Sequence, residues 1–250
     1  MRKLLVGFLV AIMATLSLAA ELNLAVAANV QNAFPELEKA FNKIYPDIKL
    51  NPSFGESGNF RTQIKNGAPY DIFLSADMKF AQEIFDASMA VKEPAVYAEG
   101  ALAMFSAKKL DLSKGLDILK DSSVKKISIA NPDTAPYGKA SVEAITNAKL
   151  YDEVKSKLVQ AESIGQVVAQ VTTAADIGFP AKSAFYTDKM AQYKEGVNWI
   201  SVDPKLYNPI SQGVVVIKNA KNSDEALKFY NFILSDEGKK IFVAFGYNVP

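Results

Sequence analysis

The chain reads as an α/β protein whose mostly parallel sheets are divided between two lobes. Several short runs are too apolar to alternate and so suit strands buried on both faces, and amphipathic stretches at helical spacing lie between them. The length, 250 residues, exceeds what a single core usually serves, since domains commonly run about 100 to 150 residues.

Arg2 and Lys3 precede an apolar run from Leu4 to Leu18, and Ser17-Leu18-Ala19 forms a small-x-small cleavage site. This predicts a signal peptide over 1–19, with a retained anchor as the alternative. Removal after Ala19 leaves 231 residues with a net charge of −1 and a soluble periplasmic protein. Strands are expected at Leu22 to Ala28, Ile48 to Phe54, Asp71 to Ala76, Ala101 to Ser106, Lys126 to Ala130, Asp176 to Phe179 and Gly213 to Lys218, with a strand-like run also at Val197 to Val202. Phe34, Leu37, Phe41, Ile44 and Tyr45 keep helical spacing, as do Leu227, Tyr230, Phe232 and Leu234. Pro35 suits a first helical turn, which leaves Asn29 on a short preceding turn. No repeat or long linker separates these elements, so two lobes must be joined by strands that cross between them.

Composition removes several function classes. Without cysteine there is neither a disulfide nor a lipidated thiol to tether the chain. Without histidine, Ser-His-Asp and Cys-His catalysis and most zinc chemistry are excluded. A near-neutral charge attracts neither nucleic acid nor an acidic membrane surface.

One local pattern recurs: a buried strand, a small or polar residue, then a helix start. It appears at Leu24 to Ala28 before Asn29, at Leu50 to Phe54 before Gly55-Glu56-Ser57-Gly58, at Ile127 to Ala130 before Tyr137-Gly138, and at Ser163-Ile164. Helix N-termini carry unpaired N–H groups and partial positive charge, so four of them around one crevice beyond the strand ends could hold an anion without lysine or arginine. The plainer reading is that Asn29 and Ser57 cap their helices. Arg61 is either a solvated side chain or added charge at the crevice. Gly-Glu-Ser57-Gly-Asn misses the nucleophile elbow, and the Ser-x-x-Lys matches at Ser106 and Ser123 lack the Lys-Thr-Gly that accompanies that motif in acylating enzymes. There is no Walker loop and no adjacent tyrosine pair for ferric iron.

Ala-Val-Ala-Ala-Asn-Val-Gln-Asn-Ala-Phe (25–34), Ser-Phe-Gly-Glu-Ser-Gly (53–58), Gln-Ile-Lys-Asn-Gly-Ala-Pro-Tyr-Asp-Ile-Phe-Leu-Ser-Ala-Asp (63–77), Ala-Asn-Pro-Asp-Thr-Ala-Pro-Tyr-Gly (130–138) and Ala-Glu-Ser-Ile (161–164) resemble the periplasmic molybdate-binding proteins of ABC importers, type II solute-binding proteins. The resemblance implies a two-lobe fold that closes on molybdate or tungstate and passes it, as a monomer and not as an enzyme, to an inner-membrane ABC permease. It implies side-chain ligands at Asn29, where better-known members have serine, and at Ser57. Backbone N–H donors are implied at Ala28 or Asn29, Ser57, Tyr137 and Ile164, with no direct metal ligand and no cofactor. The family's tyrosine ligand falls near Pro180, which lacks the hydroxyl. Lobe one is expected at 20–100 plus 211–250 and lobe two at 101–210, hinged by the strands Ala101 to Ser106 and Gly213 to Lys218. A donor-only lining favours a fully deprotonated dianion over phosphate, unless an acceptor such as Glu56 or Glu162 enters the pocket. Sulfate, phosphate or chromate is the alternative ligand, and a secreted hydrolase built on Ser57 or a Ser-x-x-Lys pair the alternative class.

Overall fold

Ten strands and eight α-helices arise among the residues that the computed structural model describes, 20–218, 220 and 222–250; the expected signal peptide at 1–19 lies outside them. The strands are β1 (Ala20–Ala27), β2 (Ile48–Gly55), β3 (Ile72–Leu74), β4 (Ala95–Gly100), β5 (Ala103–Phe105), β6 (Ile127–Ala130), β7 (Leu158–Ala161), β8 (Ile177–Gly178), β9 (Trp199–Ser201) and β10 (Ile210–Val216). The helices are α1 (Phe34–Ile44), α2 (Ser57–Lys65), α3 (Met78–Asp86), α4 (Pro136–Asn147), α5 (Tyr151–Val154), α6 (Ile164–Thr173), α7 (Ser223–Ile233) and α8 (Asp236–Ala244). They build two sheets, ordered β2-β1-β3-β10-β4 and β7-β6-β8-β5-β9, in the two-lobe α/β arrangement that the sequence predicts.

The sheets are mixed rather than mostly parallel. In the first, β1 pairs parallel with β2 and β3, whereas β10 runs antiparallel to β3 and β4. In the second, β6 pairs parallel with β7 and β8, and β5 runs antiparallel to β8 and β9. The reversal follows from connectivity. A chain that leaves the first sheet through β4 and returns through β10 sets an outgoing strand beside an incoming one, and β5 and β9 repeat this in the second sheet.

The crossings also differ from expectation. The outgoing one occupies Ala101 and Leu102, at the start of the expected hinge strand. The returning one lies at 202–209, upstream of Gly213, because Gly213–Val216 are already paired within the first sheet. The two crossing segments touch: the Val202 N–H donates to the Leu102 carbonyl at 2.9 Å, and the Leu102 N–H to the Tyr207 hydroxyl at 3.1 Å.

Both faces of the first sheet are covered. Leu22, Leu24 and Val26 of β1 meet Phe34, Leu37 and Phe41 of α1 together with Phe229, Ile233 and Phe242, while Ala25 points to the other face with Phe60, Phe73, Phe80 and Val215. This is the period-two alternation of a strand buried on both sides. Phe34, Leu37 and Phe41 keep the inward stripe of α1, but Ile44, read from sequence as part of it, ends the helix 57% exposed. In the second lobe α4 lies against the end of β6 so closely that a Cβ on Gly138 would stand 2.2 Å from the Ala130 carbonyl oxygen. That contact needs glycine, and it seats the preceding Tyr137 at the boundary between the lobes.

Candidate functional site

β1 ends in a single 3₁₀ turn, Ala28–Val30, before α1 begins, and this turn carries Asn29, which is 4% exposed. Its side chain caps nothing; the residue ahead of α1 is Ala33. Instead its Nδ2 donates to Gln212 Oε1 at 2.9 Å and to the Tyr247 hydroxyl at 3.0 Å. Its main-chain carbonyl accepts from Tyr247 at 2.7 Å and from Ser183 Oγ at 3.2 Å. Gln212, wholly buried, accepts from the Tyr97 hydroxyl at 2.7 Å and donates through Nε2 to the Tyr137 hydroxyl at 3.1 Å. Asn29, Tyr97, Gln212 and Tyr247 belong to the elements of the first sheet, and Tyr137 and Ser183 to those of the second, so the network spans the boundary.

All of these groups are neutral. Burial pushes the Tyr97, Tyr137 and Tyr247 hydroxyls above the ordinary phenol range, Tyr247 to about 12, so each keeps its proton and can donate. No lysine or arginine joins the network. Arg61 instead pairs with Glu83 at 2.7 Å and lies over the Phe80 ring.

Ser57 is the first residue of α2 and does not cap it either, since Glu56 holds the cap position. The Ser57 hydroxyl accepts the Ala76 N–H at 2.8 Å, which leaves its own proton available to donate. Glu56, 5% exposed, reaches across the boundary and accepts the Ile164 N–H at 2.9 Å. Desolvation raises its carboxyl to about 7, against an ordinary 4.5, and the bond from Ile164 opposes that rise. Glu162, the other acceptor considered from sequence, is exposed and bonded to Gln166. Beside these groups the Gly58 N–H donates to the Thr134 carbonyl at 3.0 Å, a further link between the lobes.

Among the sequence-predicted residues, Ala28, Asn29 and Ile164 line one cavity of about 230 Å³ together with Ser183, Thr187, Lys189 and Met190, so a lysine lines this cavity although none joins the network. Tyr137 joins Asn29 through Gln212, and Ser57 adjoins Ile164 through its neighbour Glu56. Tyr137 and Ile164 stand in the first turns of α4 and α6, where main-chain N–H groups have no intrahelical acceptor. The Ile164 N–H is nonetheless held by Glu56. A larger cavity, about 490 Å³ between α3 and α4, contains none of the five residues.

Sequence reasoning missed Tyr97, Ser183, Gln212 and Tyr247; of the two acceptors it weighed, Glu56 is the one that turns inward. Pro180 is buried and offers its carbonyl to the Ala103 N–H, while Tyr247, from the far end of the chain, brings its hydroxyl to Ser183 of the second lobe at 3.1 Å. The motifs weighed for hydrolysis are structural: Ser106 Oγ donates to the Asp176 carbonyl, Lys108 pairs with Asp176, and Ser123 Oγ donates to Asp121. Among the described residues no helix is long and apolar enough to cross a membrane.

Residues 22–248 match the bacterial extracellular solute-binding protein family. The molybdate-binding protein ModA of Azotobacter vinelandii is 33% identical over 249 residues, 99% of this chain and 97% of that one. ModA of Rhodobacter capsulatus is 32% identical over 92% of this chain and 88% of its own. The structure of a periplasmic molybdate-binding protein of Azotobacter vinelandii superposes with a TM-score of 0.85 at 30% identity, over 92% of this chain and 99% of that chain. Two sheets in matching order, a polar network of neutral groups between them and full-length similarity converge: the chain is a solute-binding transport protein and not an enzyme, a member of the bacterial extracellular solute-binding protein family with the fold of its molybdate-binding proteins.

Proposed function

We propose that this protein captures molybdate, and tungstate as well, between its two lobes in the periplasm and delivers it as a monomer to an ABC permease in the inner membrane. Lobe one comprises residues 20–100 with 211–250, lobe two residues 101–210, and the leader at 1–19 is removed. The anion is held by Asn29 and Ser57 side chains and by main-chain N–H groups at Ala28 or Asn29, Ser57, Tyr137 and Ile164.

The observation that carries this reading is the neutral network across the boundary: hydroxyls and amides supply donors while no lysine or arginine takes part. Such donors, aided by helix N-termini, suit a weakly basic dianion that accepts every bond and brings no proton of its own. The names carried by the relatives point to the same ligand. Glu56 adds a condition. An anion that uses the Ile164 N–H must displace this carboxylate or bind while it is protonated.

Calorimetric titration with molybdate, tungstate, sulfate and phosphate at fixed ionic strength tests the proposal. Molybdate and tungstate are expected to bind alike, followed by sulfate, too small to satisfy all donors, and then phosphate. Absence of molybdate binding overturns the reading, and tight phosphate binding replaces it with a site in which Glu56 accepts the ligand's proton.

A further inference from the structure

Asn29 Oδ1 is sealed from solvent and has no hydrogen-bond partner, although every other polar atom of that side chain and of Gln212 is engaged. A buried acceptor left unmade is costly. It is also the wrong polarity for an anion site, since a dianion needs a donor where this oxygen stands. The neighbours nevertheless allow the opposite arrangement with the same heavy-atom positions. If both amides turn over by half a rotation, Gln212 Nε2 lies 2.9 Å from Asn29 Oδ1 and donates to it, and the Tyr247 hydroxyl, 3.0 Å away, donates to the same oxygen. The second Nε2 proton goes to the Tyr97 oxygen at 2.7 Å, and the Tyr97 hydroxyl turns fully to the Ser75 carbonyl, already within 3.2 Å. The Tyr137 hydroxyl reverses its role and donates to Gln212 Oε1 at 3.1 Å. Ser183 retains its bond to the Asn29 carbonyl. The single proton of Tyr247 then leaves the Asn29 carbonyl, 2.7 Å away, and Ser183 Oγ, 3.1 Å away, so that carbonyl keeps only its bond from Ser183, and the two Nδ2 protons of Asn29 are set free.

We infer that Gln212 is a positioning residue that fixes the polarity of the Asn29 amide, and that the bound anion selects the turned-over state in which Nδ2–H faces the ligand. This rests on the oxyanion reading above and deepens it. In the arrangement described the amide nitrogen is satisfied and the oxygen is the odd group out; an anion gives the freed nitrogen its acceptor and so offsets the donation that the Asn29 carbonyl gives up in the reversed pair. Only hydroxyls and amides surround the pair, each able to exchange donor and acceptor roles without a change of charge, which makes two arrangements of similar energy possible. Tyr137 sits in the other lobe, so the reversal is also felt across the boundary.

Side-chain amide resonances of 15N-labelled protein, with those of Asn29 assigned by their loss in Asn29→Ala, read the state directly. Saturating sodium molybdate is expected to shift the Asn29 and Gln212 amide pairs together. A double-mutant cycle supplies the second reading: Gln212→Leu should weaken molybdate binding about tenfold in the parent and have no further effect in an Asn29→Ala background. If the parent binds molybdate while the Asn29 amide resonances stay put, or if Gln212→Leu costs the same in both backgrounds, the positioning role falls and the oxyanion reading stands. If the parent binds no molybdate, both fall.

Discussion

Glu56 shows what a single side chain contributes at the boundary. Its carboxyl is raised to about 7 by burial, so between about 4.5 and 7 the folded chain holds a proton that the unfolded chain has released. Stability therefore falls as pH rises through that window, by on the order of 3 kcal/mol in all. Glu56→Gln keeps an acceptor for the Ile164 N–H and removes the charge. It should match the parent in denaturant unfolding at pH 4 and exceed it by about that amount at pH 8; a difference independent of pH would show that Glu56 is not the group responsible. Ser57 acts in another way. Removing its hydroxyl leaves the buried Ala76 N–H unsatisfied, so Ser57→Ala should cost about 1 to 3 kcal/mol of stability and weaken molybdate binding about tenfold to a hundredfold. Calorimetry and urea unfolding of the same variant check both, and unaltered affinity would confine Ser57 to a structural part.

At the scale of elements, packing decides more than propensity. Phe41 of α1 meets Phe229 edge-on at 5.1 Å and Phe232 at 5.5 Å, tying the first helix to α7 from the far end of the chain. Phe41→Ala should destabilise the protein by about 3 to 5 kcal/mol, read as a lower urea midpoint, without altering the anion preference of the folded fraction. Elements of this kind were legible in the sequence, because Phe34, Leu37 and Phe41 announce their face by spacing and Ile72–Leu74 announces burial by being apolar throughout, as Ile127–Ala130 does apart from Ser128. Strand direction was not legible. Whether β10 lies parallel or antiparallel to β3 depends on where the chain crosses between lobes, and nothing local in Ile210–Val216 records that. The site divides along the same line. Asn29, Ser57, Tyr137 and Ile164 could be singled out as candidates because each stands where a strand gives way to a helix. Gln212 sits in mid-strand and Tyr247 in the C-terminal segment, 183 and 218 residues from their partner Asn29, and only the fold brings them to it.

Across the whole molecule, the lobes are joined by two adjacent crossing segments and by a handful of bonds made at the boundary, among them Gly58 to Thr134, Ile164 to Glu56, Gln212 to Tyr137 and Tyr247 to Ser183. Few enough bonds are involved that a ligand able to reinforce them can govern the population of the closed state. Trp199 is a poor reporter of that change, being stacked on Phe185 at 4.6 Å within the second lobe. Gly100 is the better handle. It ends β4 at the outgoing crossing, and a Cβ there would lie 2.0 Å from the Tyr137 hydroxyl and 2.7 Å from Gln212 Nε2. The absent side chain is what lets the tyrosine of one lobe reach the glutamine of the other. Gly100→Ala should force that hydroxyl away while leaving each sheet and its core intact, and so bias the protein toward the open arrangement. With the parent, saturating molybdate is expected to lower the radius of gyration in solution scattering; with Gly100→Ala the decrease should shrink and molybdate affinity should drop about tenfold or more, the equivalent of one lost hydrogen bond to a buried group. A variant that contracts and binds like the parent would mean that the lobes close without the Tyr137–Gln212 contact, and closure would then have to be driven by the remaining links, Glu56–Ile164, Gly58–Thr134 and those of Ser183 to Tyr247 and Asn29.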